Sequence, residues 1–192
     1  MYNIDYQVSH DIDYFFIKDE KPIHIASNGG VLPDKLGSKT FVQKTQNVAY
    51  SLPMQFGYEL NMDYLNQLNA EDFPTEAEMA ESGFLQLDHY RQFDDTNLPF
   101  HIKLYAYSFV EMARRGFYSY DRLTDYSTDG LYNLSDESSV YQLIASPTQL
   151  GIDEVAMPRI GYQFSKGSVK CYMGRERWDF AAWILTSERI EL

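Results

Sequence analysis

The chain is short of cysteine, of positive charge and of long apolar runs, and each shortage removes a class of protein from consideration. Cys171 is the single cysteine among 192 residues, so no intrachain disulfide and no all-cysteine metal site can form, and a reducing compartment fits best. Lys and Arg number 16 against 28 Asp and Glu, a formal net charge of −12. Sequence-independent binding to nucleic acid or to an anionic membrane needs clustered cations, so neither partner is expected. The opening residues Met1-Tyr2-Asn3-Ile4-Asp5 carry no positive charge. They lead into no apolar stretch long enough for a signal peptide or a membrane span, which points to a soluble cytoplasmic protein.

The common chemical signatures are missing as well. There is no Gly-x-Ser-x-Gly, His-Glu-x-x-His, Cys-x-x-Cys or Gly-x-Gly-x-x-Gly. The glycine-bearing stretch Asn28-Gly29-Gly30 through Gly37-Ser38-Lys39 places Gly, Ser and Lys after a strand. A phosphate-binding loop needs Gly-Lys-Ser/Thr in that order at a helix start, so that backbone amides cradle the phosphates. The order here is Gly-Ser-Lys, and no cofactor is expected.

What is present is an excess of rings, with 16 Tyr, 12 Phe and 2 Trp. Tyr buries an apolar ring while its hydroxyl reaches a polar partner, which suits a Tyr-rich core or a recognition surface. The length suits one domain over residues 1–192 that buries about 70% of its unfolded surface. Charge is unevenly spread, with 6 basic against 16 acidic residues in 1–96. Residues 71–95 carry eight acids against Arg91 alone, either a solvated helix face or a contact surface for a basic partner. Residues 159–177 reverse this, with five bases against Glu176.

The organising stretch is a hairpin. Tyr14 to Ile17 and Ile23 to Ala26 are aromatic and β-branched runs joined by a charged turn, Lys18 to Lys21. Phe15-Phe16-Ile17 does not alternate, so the hairpin belongs inside a sheet. Ile4, Tyr6 and Val8 alternate weakly and suggest a strand before it, and Phe41 to Ser51 suggests another short strand. Asp63 to Asn69 reads as a helical turn, and Thr75-x-x-Glu78 is a capping box that starts a helix which Gly83 ends. Ile102, Tyr105, Ala106, Phe109 and Ala113 recur at helical spacing over 101–115, with Pro99 before and Gly116 after. An aromatic strand follows at 117–121, then strands at 131–134 and 140–145, and a hairpin around Lys166-Gly167. Residues 178–186 fit either a strand or a helix. The pattern predicts an α+β fold, with a mainly antiparallel sheet built from the 14–26 hairpin and the strands after Gly116, and the 101–115 helix packed on it.

Candidate chemistry gathers at three places. His10-Asp11-Ile12-Asp13 sets an imidazole and two carboxylates within four positions, as a corner of a metal site or, on the simpler view, a polar lead-in to a strand; no metal is assigned. His24 projects to the face opposite Ile23 and Ile25, and Ser27 and Asn28 open the glycine loop behind it. In the run Arg114 to Arg122, the side chains of Tyr118, Tyr120 and Arg122 share one strand face and those of Ser119 and Asp121 the other. His24, Tyr118 and Tyr120 are therefore the catalytic candidates, and Ser27, Asn28, Arg115 and Arg122 the ligand-binding ones. His24, Tyr118 and a late glutamate such as Glu176 or Glu188 resemble the His-Tyr-Glu set of some ADP-ribosyltransferase-like folds. That resemblance implies a transferase or hydrolase with its site between His24–Gly30 and Tyr118–Arg122. The leading expectation is instead a non-catalytic binding or protein-interaction domain, with a protein partner or a second copy of the chain as its ligand.

Overall fold

The computed structural model describes residues 2–18, 21–30, 32, 39–83, 93, 97–123, 140–148, 162–164, 178–179 and 189–191. Eight strands form one sheet: β1 (Asp13–Lys18), β2 (Lys21–Ala26), β3 (Gly57–Leu60), β4 (Tyr118–Leu123), β5 (Val140–Thr148), β6 (Tyr162–Phe164), β7 (Trp178–Asp179) and β8 (Arg189–Glu191). Their order is β3-β5-β4-β2-β1-β6-β8, with β7 also on β5. The fold is α+β, and the sheet is mixed rather than purely antiparallel. β1–β2, β3–β5 and β4–β5 run antiparallel, but β2 and β4 are parallel neighbours. A parallel neighbour cannot be reached by a tight turn. The chain between them therefore crosses through α1's successors: α2 (Lys39–Ser51), β3, α3 (Met62–Leu65), α4 (Glu76–Glu81) and α5 (Phe100–Arg114), with α1 (Ile4–Ser9) preceding β1.

The hairpin stands where the aromatic runs put it. Phe15 pairs with His24 and Phe16 with Ile23, and all four side chains are buried. On one face Tyr14, Phe16, Ile23, Ile25, Tyr120, Tyr141 and Leu143 pack with Ile12, Leu32 and Val42. The other face meets α2 and α5. There Phe15, Phe117, Ala49 and Met112 form one apolar cluster, and Ala26, Ala145, Ile102, Ala106, Phe109 and Ala113 belong to another. The helix expected at 101–115 is α5, and each large apolar side chain that it buries is worth about 1.5–3 kcal/mol. Between Ser119 and Tyr120 the β4–β5 register slips, a bulge that turns the Ile144 carbonyl out to accept from Asn61 N–H at 2.9 Å.

Two stretches expected to be strands are helices. In α1 the Asn3 side chain accepts from Tyr6 N–H, and Tyr2, Tyr6 and His10 stack in a column four residues apart, so a helical period wins over the weak alternation. In α2 the buried positions Val42, Thr45 and Ala49 recur at helical spacing, although the segment is rich in β-branched residues. The helical turn after Asn61 and the capping box at Thr75 and Glu78 are both present. The strand expected at 131–134 and the hairpin around Lys166-Gly167 lie outside the described residues, apart from β6; Trp178 and Asp179 are strand. Among the described residues, no helix is long and apolar enough to cross a membrane.

Candidate functional site

A polar system lies where the parallel strands β2 and β4 run out under the two long helices. Its centre is His24, whose side chain is 0% exposed. Pairing with Ser119 in β4 and with Phe15 in β1 fixes its height in the sheet. Its ring sits against Phe15, with centroids 5.0 Å apart, and against Phe109 of α5 at 6.1 Å. Both nitrogens are engaged: Nδ1 lies 2.6 Å from Ser119 Oγ and Nε2 lies 3.0 Å from Asp13 Oδ1. The Tyr50 hydroxyl of α2 donates to the other Asp13 oxygen, and Gln46 Nε2 donates to the Asp13 carbonyl at 2.8 Å. A hydrogen-bonded line thus runs Tyr50–Asp13–His24–Ser119 from the protein surface into the sheet. Burial works to raise the Asp13 carboxyl, but the His24 charge and the His24 and Tyr50 hydrogen bonds outweigh it and hold it below the ordinary range. Burial and the adjacent Asp13 raise Tyr50.

Asp121 lies on the same face of β4, two residues beyond Ser119. Tyr105 of α5 donates to its Oδ2 at 2.5 Å, and Tyr64 of α3 stands 3.4 Å from the Tyr105 hydroxyl. Burial pushes Asp121 up to about 7, with the Tyr105 hydrogen bond opposing and the Asp11 charge adding. Asp11 itself is raised, by withdrawal from water and then by Asp13.

The β2 exit is a tight turn. Gly30 N–H donates to Ser27 carbonyl at 2.8 Å, and Asn28 and Gly29 both have positive φ, 47° and 68°. Those values match a type I′ turn, which Asn-Gly suits. Asp11 braces it, accepting from Asn28 N–H at 2.7 Å and from Ser27 Oγ at 3.3 Å. Ser27 Oγ in turn accepts from Ile12 N–H at 2.7 Å. Gly30 lets Arg122 come close: a Cβ there would lie 1.7 Å from Arg122 Nη1.

Compared with known families, curated proteins and solved structures, the chain matches none.

The parallel pairing does bring the His24–Gly30 stretch beside Tyr118–Arg122. It sets His24 on the face with Ser119 and Asp121, however, and leaves Tyr118 and Tyr120, the partners of Ile23 and Ile25, on the opposite face, which Arg122 joins by strand alternation. Ser27 is buried inside the turn, and Asn28 holds the Arg122 carbonyl through Nδ2 at 3.1 Å. Arg115 lies elsewhere, at the end of α5, ion-paired with Glu111 at 3.0 Å. Glu176 and Glu188 lie outside the described residues. Of the His10–Asp13 set, Asp11 serves the turn and Asp13 serves His24, while His10 stacks on Tyr6. Among the described residues, no three His, Cys, Asp or Glu side chains are placed to hold a metal ion. Sequence reasoning missed Asp13, Tyr50 and Tyr105 as partners of this cluster. The hairpin register alone would have set Asp13 two pairs beyond Phe15 and His24, on the same face.

Away from this cluster, an open groove of about 660 Å³ is lined by residues 70–75 and Glu78. Glu71, Asp72, Glu76, Glu78 and Glu81 are all exposed there, and the Phe73 ring beside them rests on His101 and Tyr105.

Proposed function

We propose that the chain is a non-catalytic interaction domain that meets a basic protein partner through its acidic first half. The observation that carries this reading is the state of His24: 0% exposed, with both nitrogens taken by Asp13 and Ser119. A general base has to reach a substrate proton directly or through one water. Here imidazole, hydroxyl and carboxylate are spent on tying β1, β2 and β4 to one another and to α2, and the acidic residues 71, 72, 76, 78 and 81 are exposed. Exposed carboxylates of one sign raise the rate of encounter with a cationic surface and make the complex salt-sensitive.

Diethyl pyrocarbonate labelling of the native chain, read by mass spectrometry, tests the first half of this reading. Exposed His10 is expected to react and His24 to react only on unfolding; labelling of both at similar rates in the folded protein would end the non-catalytic reading. The second half is tested with matched baits, wild type and Glu71→Lys/Glu78→Lys. A partner retained by the first at low salt and lost with the second is expected, and identical bound sets with both baits would refute the acidic contact.

A further inference from the structure

On the helix-facing side of the sheet, one row of paired residues reads Asp13, Ala26, Asp121: Asp13 pairs with Ala26 across β1–β2, and Ala26 with Asp121 across β2–β4. Two carboxyl groups therefore flank a methyl group, each about 5 Å of strand spacing away from it. Each is gripped by a tyrosine from a different helix, Tyr50 of α2 on Asp13 and Tyr105 of α5 on Asp121. The small Ala26 lets both helices approach.

The two carboxyls have unlike surroundings. Asp13 faces the His24 imidazole at 3.0 Å. Asp121, only 6% exposed, has the Tyr105 hydroxyl and the Arg122 backbone N–H, and among the described residues no cation is paired with it. A buried carboxylate with no counter-charge relieves its desolvation by keeping the proton. The other titratable groups turned toward this row are Asp11 from the lead-in to β1, His24 from β2, Tyr50 from α2, Tyr64 from α3 and Tyr105 from α5; Glu111 and Arg115 act on Tyr50 from the far side. Asp11 and Asp13 are acids, so ionising Asp121 adds a third negative charge to the cluster.

We propose that this row is a proton-linked clamp: with its proton Asp121 lies neutral beneath α5, and loss of that proton leaves a charge with no paired cation buried under the helix, which favours its opening although the Tyr105 hydrogen bond itself strengthens, while Asp13 keeps α2 in place. Burial puts the closed form's midpoint at about 7, whereas in an opened form, with Asp121 in water, it falls to the ordinary aspartate value of 3.8. Between these limits the closed form carries one proton more. Opening of α5 should therefore grow about tenfold per pH unit from about pH 5 to about pH 7 and level off above that.

Amide hydrogen exchange of α5 in the full chain, corrected for intrinsic exchange rates, reads this directly. Protection is expected to fall about tenfold per pH unit over that range in wild type, and Asp121→Asn, which keeps an acceptor for Tyr105, is expected to abolish the slope. A flat wild-type profile, or the same slope in Asp121→Asn, overturns the proposal. If that variant does not fold, the 13Cγ titration of Asp121 in the unmodified chain decides: a midpoint near 7 sustains the clamp, and one below about 5 removes it.

Discussion

Removing the His24 imidazole tests whether the polar line is a structural member or merely filler. In His24→Ala the space between Phe15 and Phe109 loses its occupant, at a cost of about 2–4 kcal/mol on the scale of large-to-small core changes. Ser119 Oγ, fully buried and 2.6 Å from Nδ1, loses its partner, which adds about 1–3 kcal/mol. Asp13 keeps Tyr50 but loses the imidazole. A total of about 3–7 kcal/mol is a large share of the ~5–15 kcal/mol that holds a domain together. The informative variant is His24→Phe, which refills the space but restores no hydrogen bond. It should still lose about 2–3 kcal/mol, and adding Ser119→Ala should recover about 1 kcal/mol, because the orphaned hydroxyl goes with it. Urea unfolding followed by far-ultraviolet circular dichroism, with the transition slopes compared, measures wild type, His24→Ala, His24→Phe, Ser119→Ala and the double variant His24→Phe/Ser119→Ala. If His24→Phe matches wild type within about 0.5 kcal/mol, or if the two single costs simply add, the site is held by packing and the argument from hydrogen bonds is wrong.

Two further outcomes follow from positions already described. Gly116 has φ +100° and a Cβ built on it would lie 3.0 Å from Phe56 Cε2, so Gly116→Ala should cost about 1–3 kcal/mol in the same unfolding assay; a neutral result would refute the strain. Asp13, with its carboxyl held below 3.8, stabilises the fold above that pH, and the contribution is lost as pH falls through its native value. Asp13→Asn should therefore flatten the acid side of a melting-temperature profile below about pH 4, and an unchanged acid limb would show that other carboxylates set it.

The hairpin, the α5 stripe and the capping box were legible because each is written in adjacent residues: aromatic runs, a 3.6-residue period and a Thr-x-x-Glu spacing. The helices α1 and α2 were not. Ile4, Tyr6 and Val8 satisfy a period of two over too few residues to exclude the helical column Tyr2-Tyr6-His10, and β-branched residues in α2 point away from a helix that tertiary burial of Val42 and Ala49 sustains. The four-residue β3 carries too little pattern to register. For the site, strand alternation correctly set Ser119 and Asp121 on one face and Tyr118, Tyr120 and Arg122 on the other. Which of these faces His24 would join depended on β2 and β4 lying side by side, in parallel and in one register, and nothing local to either segment encodes that.

The pairing of β2 with β4 also fixes an order of events. His24 and Ser119 stand 95 positions apart in the chain, and contacts of such span form late because the intervening loop must close first. During synthesis the hairpin is complete long before its neighbour exists. Until β4 arrives, it carries Phe15 and Phe16 without their full cover and an imidazole and a carboxylate without the helices and hydroxyl that later enclose them. The seam in the middle of the sheet can thus be sewn only once β4 has been made, and the buried centre of the N-terminal half waits on residues made almost a hundred positions later.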